Sequence, residues 1–356
     1  MRRLNIVQIA AHACIRVTKQ ALPLANLGHN LHIIANRIPS YAELYKTTVV
    51  CGDQSQFTEA IKIYADKADI FHCHNEPSWF VTAVKEISSK PVVLDVHDSF
   101  LARLTPEEEH NRLENGADRR IRVNTEERNN FQLADALVFP SESFGKIITD
   151  EYKIGVPTLT LPSYLPEHLY VYNTKEHWGG LVYEGRVDLK SEIEKDSRMY
   201  GFIYCDYEEL ANKCKSIGMD LHLYSGRKDE AFKKVYGDIA YCHEPYVYDK
   251  LLNKISRHDW GLIGNVTHTS EWNVALPNKL FEYIAACVPI VVMNASESAK
   301  IIEKYGIGII VKDIDELAQR WSEHRICRNN LIKLRKEFVM ENHIGKLEEL
   351  YKGLLG

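Results

Sequence analysis

Short apolar runs bounded by turn or polar residues alternate with longer amphipathic stretches along nearly the whole chain, the pattern of parallel α/β layers. In the first half this pattern predicts strands over Asn5–Ala10, Leu31–Ala35, Lys46–Cys51, Ile70–His74, Val92–His97, Ala136–Pro140 and Thr158–Leu161, with helices notably at Arg16–Leu27 and Ser78–Ser88. The alternation lapses in a Pro- and Tyr-rich segment from Pro162 to Thr174, which reads as a linker. It then resumes, with strands expected over Gly180–Glu184, Gly201–Cys205, Asp220–Tyr224, Ile239–Cys242, Trp260–Ile263, Ile290–Met293 and Ile307–Val311. The expectation is an α/β protein of two doubly wound, Rossmann-like parallel-sheet domains, residues 1–165 and 175–325, followed by a helical segment, 326–356, with the option of crossing back to the first. A charged stretch from Leu101 to Arg128 shows no continuous core face and reads as a solvated excursion with some helix, the alternative being that it shapes a binding cleft.

Composition agrees with this reading and narrows it. A chain of 356 residues, 45% hydrophobic and 26% charged, suits two globular domains and excludes disorder, collagen and small disulfide scaffolds. Lys and Arg number 44 against 49 Asp and Glu, a net charge of −5, so there is no basic footprint for general nucleic-acid binding. Met1 to His12 reads as a first strand and not as a secretory signal, and no apolar run approaches the roughly 18 residues of a membrane span. The eight cysteines are scattered without a C-x-x-C pair, which points to reduced thiols in a cytoplasmic protein.

The dinucleotide G-x-G-x-x-G and the P-loop G-x-x-x-x-G-K-[ST] are both missing, which argues against a dinucleotide oxidoreductase or a P-loop NTPase. Ligands of open parallel sheets still bind at the carboxyl ends of strands. One such end is Glu184-Gly185-Arg186, where Gly185 permits a tight turn and the Arg186 guanidinium could take a diphosphate, with Lys190 as a nearby charge. A second is Pro277-Asn278-Lys279-Leu280-Phe281-Glu282, a helix start whose free N–H groups favour an anion. Lys279 and Glu282 share one face of that helix, and the Glu282 carboxylate could accept from both hydroxyls of a ribose. His72 and His74 share a strand face but lack an identifiable third ligand, so no metal site is expected. Asp313-Ile314-Asp315 has D-x-D spacing, yet its place at a helix start reads as capping.

On Pro277 to Val292, Glu184-Gly185-Arg186 and Ala134 to Ser143, in this order and spacing, the chain resembles GT-B glycosyltransferases, most closely the retaining, nucleotide-sugar-dependent family 4. The resemblance implies two domains facing a cleft, the second holding the nucleotide sugar and the first the acceptor. By it, Arg186 and Lys190 (or Lys195) bind the diphosphate and Glu282 the ribose; Gly226 turns beside the base, which Tyr246 and Val247 approach by their backbone. His97 would stand against the donor sugar and reacting centre, with His12, Asp98 and Glu76 on the acceptor side. Two departures stand out. Val274 occupies the position where the family often has a sugar-contacting glutamate, leaving Asn273 or Glu271 for that task, and Ala10-Ala11-His12 replaces a glycine-rich loop.

The activity expected is transfer of a sugar from a nucleoside diphosphate donor, UDP-linked in the first instance, to the hydroxyl of a glycan, lipid-linked sugar or other acceptor. It would proceed with retention and without metal or resident cofactor, in the cytoplasm, with peripheral contact at the inner membrane face as an option. The alternatives are a sugar-nucleotide epimerase, a non-catalytic nucleotide-sugar-binding protein, and a DNA-glucosylating enzyme, the last disfavoured by the acidic balance.

Overall fold

The computed structural model describes residues 2–74, 79–99, 101, 116–172, 176–195 and 205–356. Its described residues form two compact units, one from within Met1–Pro106, Ala117–Pro166 and Val339–Gly356, the other from Gly116 and within Glu167–Phe338.

The first unit contains strands β1 (Asn5–Ala10), β2 (Asn30–Ala35), β3 (Thr47–Val50), β4 (Ile70–His74), β5 (Val92–Asp95), β6 (Ala136–Phe139) and β7 (Thr158–Thr160). The second contains β8 (Leu181–Glu184), β9 (Leu221–Tyr224), β10 (Tyr241–Cys242), β11 (Trp260–Gly264), β12 (Ile290–Met293) and β13 (Gly308–Ile310). Every described pairing is parallel, in the orders β3-β2-β1-β4-β5-β6-β7 and β10-β9-β8-β11-β12-β13. In each sheet the chain starts in the middle, winds outward one way and returns to wind the other. The reversal points, between β1 and β4 and between β8 and β11, are where such sheets open a crevice for ligand.

Helices on both faces explain why the central strands read as unbroken apolar runs. All five residues of β4, β11 and the four of β12 are buried. One core gathers Ile6, Val17, Ile33, Ile70, Val93 and Val138; the other gathers Leu181, Leu223, Trp260, Leu262, Val291 and Leu317. The C-terminal helix Ile344–Leu355 belongs to the first unit, where Leu347 and Tyr351 are fully buried and the Tyr351 hydroxyl lies 2.6 Å from His72 Nδ1. The helix His324–Leu334 remains with the second.

Strand ends are where pattern and structure differ. The expected Val92–His97 strand stops at Asp95, so His97 stands in the loop beyond it. Ile239 and Ala240 leave the expected Ile239–Cys242 strand because their amides bond the Tyr236 carbonyl and close the preceding helix. Of Gly201–Cys205 only Cys205 lies among the described residues. The charged excursion contributes the helix Gly116–Leu133, where Thr125, Glu126 and Arg128 are exposed while Glu127 is buried and accepts from the Ser99 hydroxyl at 2.5 Å and the Tyr152 hydroxyl at 2.7 Å. Asp313 caps the helix Ile314–Arg320 by accepting from the Glu316 amide at 2.8 Å. All eight cysteines are unpaired, and no helix among the described residues is long and apolar enough to cross a membrane.

Candidate functional site

In the second unit, Gly185 and Arg186 leave the carboxyl end of β8, and Gly185 adopts φ +127°, a conformation strained for any side chain. A Cβ there would also meet Lys279 Nζ at 3.3 Å and the Tyr183 hydroxyl at 3.4 Å. The glycine thus lets the helix Asn278–Ala285 bring its first-turn lysine against the β8 turn. Lys279 lies over the Tyr183 ring, 4.7 Å from its centroid. Burial pulls the Lys279 ammonium down, but Tyr183 and Glu184 outweigh it and hold the group above its ordinary value, so it stays charged. Arg186 is half exposed, its Nε donating to Asp188 Oδ2 at 2.6 Å. Two cations and the helix start at Pro277 and Asn278 therefore gather at one strand end.

The helix is seated by Tyr283, whose hydroxyl accepts from the Glu184 amide at 3.2 Å and lies 3.2 and 3.3 Å from the Val182 and Leu262 carbonyls. It therefore links β8 and β11 across the reversal point. One turn from Lys279, Glu282 is 3% exposed and accepts from the Tyr248 hydroxyl at 2.7 Å. Tyr248 opens the helix Tyr248–Ile255 just after Tyr246 and Val247, so the segment expected near the base is tied to the carboxylate expected on the ribose. Gly226 has φ +73° and open space where a Cβ would stand. Beside it Arg227 grips Glu192 bidentately at 2.6 and 2.9 Å, tying this turn to the helix Lys190–Lys195.

Other expected residues are placed differently. Lys190 is exposed at the start of its own short helix, and the lysine packed on Gly185 is Lys279. The Asn273 carbonyl oxygen accepts from the Ser296 hydroxyl at 3.0 Å and lies 3.3 Å from His268 Nε2, so it braces the loop. Glu271 accepts through its backbone from the Ala275 amide. Val274 is buried.

In the first unit the carboxyl ends of β1, β4 and β5 carry a different cluster. Asp95 is fully buried and receives Arg16 NH2 at 2.8 Å, Arg16 Nε at 3.0 Å and Gln20 Nε2 at 2.5 Å. Burial pushes its carboxyl up, but the Arg16 guanidinium outweighs this and holds it far below the usual range. His74 Nδ1 and His97 Nε2 each lie 3.7 Å from Asp95. Desolvation keeps His72 down at about 4 and His74 well below its ordinary value, so both stay neutral. His97 Nδ1 lies 3.7 Å from Cys14 Sγ. His12 is exposed and pairs with Asn36 at 2.9 Å; Asp98 is half buried; Glu76 lies outside the described residues. Asp95 supplies the third group that His72 and His74 lacked as a metal set, but its oxygens are already engaged by Arg16 and Gln20.

Residues 202–330 match the model of the glucosyltransferase 3-like C-terminal domain, a span that includes Gly226, Tyr248, Lys279 and Glu282. Among solved structures, sucrose-phosphate synthase from Thermosynechococcus elongatus is similar over 99% of both chains, with TM-score 0.72 and 14% identity. Anabaena HepE in complex with UDP matches 98% of this chain and 100% of its own, with TM-score 0.68 and 9% identity. An alpha-glucosyltransferase in complex with UDP and a 13-mer DNA containing an HMU base matches 100% of both, with TM-score 0.67 and 11% identity. The fold is GT-B. Comparison with curated proteins finds no match. The GT-B resemblance read from Glu184-Gly185-Arg186 and Pro277 to Val292 is thus shared by the whole backbone.

Sequence reasoning missed Tyr248, Tyr283, Arg16 and Gln20. Arg16 and Gln20, four apart, had a signal: they put polar groups on the helix face that Val17, Ala21 and Leu24 bury. Tyr248 and Tyr283 had none, because a tyrosine in an amphipathic helix reads as packing.

Proposed function

We propose that the protein is a glycosyltransferase that moves a sugar from a UDP-linked donor to an acceptor hydroxyl with retention, without using a metal in the transfer. The observation that carries this reading is the packing of Lys279 on Gly185 beside Arg186, with Glu282 one turn further along the same helix, at the reversal point of the second sheet. A diphosphate seated there would meet two cations and the positive end of the helix, and Glu282 would receive ribose hydroxyls as it now receives Tyr248. When the sugar–oxygen bond breaks, negative charge develops on the departing diphosphate. Donors already aimed at that charge lower the barrier, and each is worth about 2.7 to 4 kcal/mol.

The buried carboxylates described at this end are already engaged, Asp188 by Arg186 and Glu282 by Tyr248, so the leaving phosphate oxygen accepts the acceptor's proton. The first unit, with His97 past β5 and neutral imidazoles behind it, would hold the acceptor. The similar structures solved with UDP support the choice of nucleotide. Eight unpaired thiols suit a reducing, cytoplasmic setting; acceptors there include glycans and lipid-linked sugars at the inner membrane face.

The test is a panel of UDP-, GDP-, ADP- and CMP-linked sugars, each with and without acceptors, read as nucleotide released and product formed. Acceptor-dependent release of UDP is expected, and an α-linked donor should yield an α-linked product. An isomerised nucleotide sugar formed without acceptor would identify an epimerase, and tight binding without turnover a binding protein.

A further inference from the structure

Three histidines from three separate segments of the second unit converge on one face of β9. They are His222 in β9, His243 just beyond β10 and His258 just before β11. His222 Nδ1 lies 2.9 Å from His243 Nε2, and one ligating nitrogen from each ring lies within 4.8 Å of the others. His222 and His258 are buried and His243 half buried. Stacked rings fix the planes: Tyr241 on His222 at 4.8 Å and Tyr224 on His243 at 4.1 Å.

The protonation pattern suits a metal. His258 Nδ1 lies 2.7 Å from the Gly179 carbonyl, which only accepts, so Nδ1 carries the proton and Nε2 turns a lone pair toward the cluster. A backbone carbonyl behind a ligating imidazole is the usual outer support of a metal-bound histidine. As a hydrogen-bonded set the trio is incomplete: His222 Nε2 is buried and has no partner among the described residues.

We propose that His222, His243 and His258 bind one divalent transition-metal ion of the zinc class, with the Tyr224 hydroxyl, 3.2 Å from His258 Nε2, or a water completing the shell. Three imidazoles without a carboxylate select zinc, cobalt, nickel or copper over magnesium and calcium. The other such group, His72, His74 and Asp95, is already occupied by the Arg16 guanidinium. Gly179 and His258 precede β8 and β11, His222 lies within β9 and His243 follows β10, so the trio sits across β9, while Gly185 and Lys279 meet at the turn after β8. The ion is a clamp between three segments and takes no part in transfer.

The test titrates chelator-treated, full-length protein with Co²⁺ and then Zn²⁺. Expected are one Co²⁺ per chain, a visible absorption band of a four- or five-coordinate site, displacement by Zn²⁺, and at least tenfold weaker binding in His243→Gln. X-ray absorption of the zinc-loaded wild type reads the ligands directly and needs no variant: three imidazole nitrogens at about 2.0–2.1 Å are expected. Absence of saturable binding, undiminished binding by H243Q, or fewer than three imidazoles around the zinc each overturns the proposal.

Discussion

Gly261→Ala should destabilise the protein, although a glycine inside a strand ordinarily gains about 0.5–1 kcal/mol on becoming alanine. Gly261 lies in β11, and a Cβ built on it meets the Tyr283 ring at 2.6 Å, closer than carbon atoms approach. The ring cannot simply give way, because its hydroxyl is held by the Glu184 amide and the Val182 and Leu262 carbonyls. Overpacking costs about 1–3 kcal/mol. If the ring moves instead, the buried Glu184 amide loses its acceptor, at about 1–3 kcal/mol. By either route, after subtracting the intrinsic gain, the net loss is up to about 2.5 kcal/mol.

Urea unfolding of the parent, G261A, Tyr283→Leu and the double variant measures this. The penalty of G261A should shrink by at least 1 kcal/mol when the ring is absent, since the two side chains then no longer collide. Because Tyr283 seats the helix carrying Lys279 and Glu282, G261A should also weaken binding of the UDP-linked donor several-fold. A G261A protein as stable as the parent, or an equal penalty in the Y283L background, would refute the reasoning.

Arg186→Ala should lower kcat by about 100- to 1000-fold, the value of one donor to developing charge, with the unfolding midpoint nearly unchanged because the side chain is half exposed; unaltered turnover would remove the residue from the site. Tyr248→Phe leaves Glu282 buried without its hydroxyl donor and should weaken donor binding roughly tenfold, given about 1.5–3 kcal/mol for a hydrogen bond to a charged group, as calorimetry with UDP would show. Arg16→Met strands the Asp95 carboxylate and should cost about 3–5 kcal/mol near neutral pH. Asp95 is held below its unfolded value, so its contribution is present above an unfolded pKa of about 3.9 and is lost as acid protonates it; the R16M penalty should therefore shrink toward low pH. Burial raises the Cys14 thiol, but His97 and the Val17 and Arg16 amides bring it down to about 7, so iodoacetamide labelling of Cys14 should rise through pH 7, and through a higher pH in His97→Gln.

The fold was legible because each buried strand has to be a short apolar run, and Ile70–His74 or Ile290–Met293 can hardly be read otherwise. Strand ends were not, since pairing stops where the neighbouring strand stops; Asp95 pairs with Val138, and His97 has no partner strand to extend along. Gly185 with Arg186, and Lys279 with Glu282, stood out as candidates because each pair marks a strand end or a helix start; that Lys279 packs on Gly185 is a fact of the fold. The trio His222, His243 and His258 could not. Its members come from segments whose convergence depends on β8 lying between β9 and β11, a fact of topology and not of spacing.

The two units share a winding order but use their reversal points in opposite ways. In the second, Arg186 is half exposed, with its Nε on Asp188, and Lys279 lies over the neutral Tyr183 ring, so two cations stand at the strand end. In the first, the buried charge is consumed internally: Arg16 and Gln20 engage Asp95, and the surrounding imidazoles of His72 and His74 stay neutral. A neutral surface of imidazole and thiol suits an uncharged sugar or an acceptor hydroxyl, and would hold a diphosphate poorly. Reversing one charge in each unit separates these roles. Lys279→Glu should abolish UDP binding, measured by calorimetry, because it turns a cation facing the diphosphate into an anion. His12→Glu, on the exposed loop after β1, should leave UDP affinity within twofold of the parent and alter only the KM for acceptor. If UDP affinity fell equally in both, the nucleotide would have to be held by both units, and the assignment of the donor to the second would fail.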